Sequence, residues 1–69
     1  MDASRRYKVK VPNMRVFEEA RHLLEQHARI LLTNPRRNTI AAMGLDEQIA
    51  EKLRGMNATI VEDTQYALD

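Results

Sequence analysis

The side chains of this 69-residue chain with most chemical potential are two histidines, an arginine pair, an acidic pair and three aromatic rings. His22 and His27 are five residues apart in a stretch with helical periodicity, which sets them about 140° apart around a helix axis. Ligands to one metal ion on a helix need a spacing of four, and no cysteine is present to complete a coordination shell. The pair therefore reads as helix-surface histidines, with His27 bordering the core. Arg36-Arg37 falls among turn formers and reads as a solvated hairpin tip. No Ser-His-Asp or Cys-His set, no glycine-rich phosphate loop and no paired carboxylates in a pocket-like context occur, so a non-enzymatic protein without cofactor or metal is expected.

Eleven Lys and Arg against ten Asp and Glu leave a net charge of +1, spread along the chain. Such a balance makes no electrostatic case for nucleic acid or an anionic membrane. An RNA-recognition sheet would need stacking rings on its central strands, whereas the only aromatics are Tyr7, Phe17 and Tyr66. No run approaches the roughly 20 apolar residues that span a bilayer, and MDASRRYKVK lacks the apolar middle of a signal peptide. Neither nucleic acid nor membrane is expected as a partner.

The elements that would position these groups follow from periodicity. Residues 1–6 are polar and read as a loose N-terminus. Tyr7, Val9 and Val11 alternate with Lys8 and Lys10, the period of a half-buried strand, and Pro12 stops it because it has no N–H to give a ladder. Asn13 suits an N-cap, and Val16, Phe17, Ala20, Leu23, Leu24 and Ala28 mark the apolar stripe of a helix of about four turns. Ile30 to Thr33 and Thr39 to Met43 flank the turn segment Asn34 to Asn38, which predicts an antiparallel hairpin closed by Gly44. Asp46 and Glu47 open a second helix with Ile49, Ala50, Leu53 and Met56 facing inward and Gly55 as its left-handed stop. Thr59-Ile60-Val61 is the last strand, and the polar turn at Glu62-Asp63-Thr64 ends it.

The order β-α-β-β-α-β, with short right-handed connections, predicts a single α+β domain over residues 1–69. It is a ferredoxin-like sandwich: a four-stranded antiparallel sheet, spatial order 4-1-3-2, with both helices on one face. A core in so short a chain is thin, and its stability amounts to a few kcal/mol. If Ile30, Leu32, Ile40, Ala42 and Ile60 face the helices, then Leu31, Thr39, Ala41, Met43, Thr59 and Val61 form the opposite, uncovered face. That face is flat and partly apolar, as a protein interface is. Residues 64–69 read as an extended C-terminal tail continuous with it.

Two segments carry a likeness. Asn38-Thr39-Ile40-Ala41-Ala42-Met43-Gly44-Leu45-Asp46-Glu47 with the helix Gln48 to Arg54, and Ala58-Thr59-Ile60-Val61-Glu62-Asp63, resemble the second half of subtilisin propeptides and the related stand-alone inhibitors of subtilisin-like proteases. The resemblance spans about thirty residues and is only architectural over Tyr7 to Thr33. It implies the fold already derived, with the open sheet face laid on two parallel surface helices of a subtilisin-like serine protease. It also implies that Glu62 and Asp63 cap the N-termini of those helices, where free N–H groups and the positive dipole end favour carboxylates. The tail Thr64-Gln65-Tyr66-Ala67-Leu68-Asp69 would lie in the substrate cleft as a bound product does, pairing as an added strand.

In that register Asp69 reaches the primary pocket, Leu68 sits beside it and Tyr66 fills the fourth. Primary pockets of this family take apolar or aromatic groups, so Asp69 departs from the pattern. Either the partner is unusual, Leu68 is the anchor, or the natural chain continues. The chain is then an inhibitor, and a chaperone of folding where it precedes its enzyme. It would be secreted as part of a precursor and cytoplasmic if it stands alone, and monomeric when free. The rival reading is a ferredoxin-like interaction or regulatory module that uses its open face on itself or on another protein.

Overall fold

A computed structural model describes residues 4–62. The first strand, β1 (Arg6–Lys10), buries Tyr7 and Val9 on one side and leaves Lys8 and Lys10 on the other. Arg6 is already paired, opposite Met43, so the loose N-terminus expected over 1–6 gives way to the sheet one residue sooner. At Asn13 the chain turns into α1 (Met14–His27); the Asn13 side chain accepts from the Val16 N–H at 2.9 Å, satisfying one of the free donors of the first turn. Phe17, Ala20 and Leu24 are the buried stripe of that helix.

The hairpin is β2 (Arg29–Asn34), a 3-10 turn over Pro35–Arg37 and β3 (Thr39–Met43). Gly44, at φ +80°, then redirects the chain so that Leu45 is fully buried and Asp46 caps α2 (Glu47–Gly55), accepting from the Ile49 N–H at 2.9 Å. The expected left-handed stop at Gly55 lies two residues later. Gly55 is the last helical residue, and Asn57 takes the positive φ of 67°. The Ala58 N–H bonds the Leu53 carbonyl and the Asn57 N–H bonds that of Arg54, both at 3.0 Å, while Leu53 and Ala58 are both buried. This is a Schellman closure with asparagine in the glycine position, and it feeds directly into β4 (Thr59–Glu62).

The four strands form one antiparallel sheet in the order β2-β3-β1-β4. Both helices pack on the face bearing Val9, Ile40 and Ala42, and with Leu24, Leu45 and Leu53 these make a core of fully buried side chains. The fold is the ferredoxin-like α+β sandwich. One detail overturns the facing assigned from alternation. The register between β2 and β3 shifts between Ile30 and Leu32, so Leu31 and Leu32 together oppose Ala41 and Thr33 comes opposite Ile40. This β-bulge flips the outer half of β2. Leu32, expected under the helices, is instead 67% exposed on the open face.

Candidate functional site

Residues directly opposite one another in paired strands share a face, so the register lays out the uncovered side of the sheet row by row. One row runs Asn34, Thr39, Lys10, Thr59; the next runs Leu32, Ala41, Lys8, Val61; a third begins Arg29, Met43, Arg6. Thr39, Ala41, Met43, Thr59 and Val61 therefore lie on the open face as the sequence suggested, with Val61 43% exposed. Leu31 is the half-buried extra residue of the bulge, and Leu32 supplies the exposed apolar surface expected of it.

A shallow concavity of about 320 Å³ opens on this face, lined by Lys8, Lys10, Leu32, Asn34, Arg37, Thr39 and Ala41. Its upper wall is the hairpin tip, which local hydrogen bonds hold in shape. The Asn34 side chain accepts from the Arg37 N–H at 3.3 Å, and the Thr39 hydroxyl donates to the Arg37 carbonyl at 2.9 Å. Asn38 takes the left-handed conformation, φ 50° and ψ 47°, that asparagine tolerates well, and its carbonyl accepts from the Val11 N–H at 2.9 Å. That last bond ties the backbone of the tip to the end of β1, which keeps Arg37 on the same side of the sheet edge as Lys10. No described acidic side chain pairs with Lys8, Lys10 or Arg37.

The opposite, helical layer has different electrostatics. Glu18 and Glu25 flank Arg21, which donates to Glu18 at 2.7 Å and also to Glu25, and Arg15 faces Glu19 at 3.7 Å. The Glu18 hydrogen bonds, then the charges of Glu18 and Glu25, raise the Arg21 pKa above its ordinary value. Arg15 and the three carboxylates are exposed and Arg21 is half-buried. His22 Nε2 lies 3.1 Å from Gln26 Nε2 on the same surface, and His27, expected to border the core, is exposed instead. Among the described residues no group of three or more His, Cys, Asp or Glu could hold a metal ion. No described helix is long and apolar enough to cross a membrane.

Glu62 ends β4 opposite Tyr7 and is exposed, with its carboxylate accepting from the Arg5 guanidinium. Asp63, Thr64, Gln65, Tyr66, Ala67, Leu68 and Asp69 lie outside the described residues. Comparison with family models, curated proteins and solved structures finds no match. Sequence reasoning passed over Lys8, Lys10, Asn34 and Arg37 as a group. Their signal was present in the Lys-Val-Lys alternation and the basic turn, but only the strand order β2-β3-β1 brings the turn over the lysines.

Proposed function

We propose that this domain is a propeptide-like inhibitor of a subtilisin-family serine protease and, where it precedes its enzyme, a chaperone of that enzyme's folding. The observation that carries the reading is continuity: the sheet face away from the helices, with Leu32, Ala41, Met43 and Val61, ends in edge strand β4, whose last residue is Glu62, and Asp63 and the tail follow directly in sequence. An edge strand at the end of the described chain supports strand addition by the residues that follow it in a protease cleft. The open face then supplies a broad contact and the tail supplies access to the active site. Glu62 would exchange its present partner Arg5 for the N-terminus of an enzyme helix, trading one charge-assisted hydrogen bond for others.

The test is inhibition of a subtilisin-type protease, followed with a chromogenic peptide substrate. The full chain should inhibit competitively. A chain ending at Asp63 should keep the same circular dichroism and melting midpoint and inhibit on the order of a hundredfold less well, the equivalent of roughly 3 kcal/mol. Equal inhibition by the shortened chain would overturn the mechanism. Reversal of charge in Glu62→Lys should weaken the complex by about 2 kcal/mol or more if the carboxylate is buried against a helix end.

A further inference from the structure

We infer that the open sheet face receives an acidic surface of a protein partner, with a partner carboxylate seated in the concavity among Lys8, Lys10 and Arg37. The inference rests on the inhibitor reading only for the partner's identity; its physical basis is separate, in β1 and the hairpin tip rather than in the tail.

Charges that alternate freely along the chain are sorted by the fold. Of the described acids, Glu18, Glu19, Glu25, Asp46, Glu47 and Glu51 belong to the helices or the cap before α2, and Glu62 shares its register position with the buried Tyr7. None falls at an open-face position of the described strands. Lys8 and Lys10 do, and Arg37 lines the same hollow from the hairpin tip. Three cations around one concavity repel one another, and a carboxylate placed between them relieves that repulsion while gaining charge-assisted hydrogen bonds. Asn34 and Thr39, also on the wall, add polar contacts that fix orientation.

The floor decides the class of partner. Leu32 and Ala41 line the hollow and Val61 lies further along the Leu32 row, so cations are interleaved with aliphatic side chains. That mixture matches the core and rim of a protein interface. Nucleic acid would require bases to stack, yet Tyr7 and Phe17, the two described aromatics, are both buried in the core between the sheet and the helices. An acidic protein surface satisfies both the cations and the aliphatic floor.

The experiment is an amide-shift titration of the full chain with three molecules: a short peptide alternating Glu and Leu, the same peptide with Gln for every Glu, and a single-stranded oligouridine. The Glu peptide is expected to shift the amides of Lys8, Lys10, Asn34, Arg37 and Thr39. Its affinity should exceed that of the Gln peptide by about fivefold or more and fall about tenfold between about 50 and about 300 mM salt, as exposed charges are screened. The variant Lys10→Glu with Arg37→Glu, both at exposed positions, should lose at least about tenfold in affinity with an unchanged melting midpoint. The neutral variant Lys10→Gln with Arg37→Gln should lose less, which separates charge from misfolding. Equal binding of the Gln peptide, shifts confined to the helices, or tighter binding of the oligouridine would overturn the inference. Open-face shifts with the Glu peptide in a chain that inhibits no subtilisin-type protease would support this surface and overturn the inhibitor reading alone.

Discussion

The two faces of the sheet solve different problems with residues from the same strands. Val9 and Ile40 point under the helices and are fully buried, while their sequence neighbours Lys8, Lys10, Thr39 and Ala41 face the other way, where no described helix or strand covers them. Charge follows the same division: exposed carboxylates of α1 are matched by arginines one turn away, but the lysines of the open face have no described acid opposite them. Stability is thus concentrated on one side. The other side is left free to make contacts without weakening the fold.

This contrast breaks most readily by truncation. Leu24→Ala or Ile40→Ala, each fully buried, should lose about 2–5 kcal/mol in urea unfolding, enough to leave so small a domain largely unfolded. Leu32→Ala, on the open face, should change the same measurement by no more than about 0.5 kcal/mol. A loss at Leu32 comparable with that at Ile40 would erase the distinction between the faces. Smaller effects belong to the elements that hold the helices under the sheet. Asn13→Ala and Asp46→Ala should each lose about 1 kcal/mol by removing an N-cap acceptor, read as a lower urea midpoint with an unchanged slope.

Gly44→Ala should lose about 1 kcal/mol as well. An added methyl would meet the Ala28 Cα at 3.8 Å, an ordinary contact, so the loss would come from the positive φ rather than from a clash. The smallest effect is expected at Arg21→Gln, whose ion pairs with Glu18 and Glu25 are exposed. The urea midpoint should move less than for either cap and not at all in concentrated salt.

The element order and the cap at Asn13 were legible in periodicity and turn chemistry, because each is set by local sequence, and the strand order followed from that element order by the rule of short right-handed connections. The facing of Leu32 was not, because an alternating pattern holds only while every residue advances the ladder by one place, and the Leu31-Leu32 bulge spends two residues on Ala41. The helix stop was misplaced for a related reason. Gly55 has the composition of a stop, yet the closing hydrogen bonds require the left-handed residue two places on, where Asn57 supplies it. The basic hollow needed tertiary information: Arg37 is far in sequence from Lys8 and Lys10, and it meets them because β3 lies between β2 and β1.

The bulge also makes the sheet one-ended. Of its two margins, β2 is kinked and irregular, a poor template for another strand, whereas β4 pairs in continuous register with β1. Copies able to add strands only at β4 can meet β4 to β4, which is a two-fold arrangement that uses up the available margin of both molecules. Such a pairing terminates at two, so open-ended fibre growth through the sheet lacks its second point of attachment.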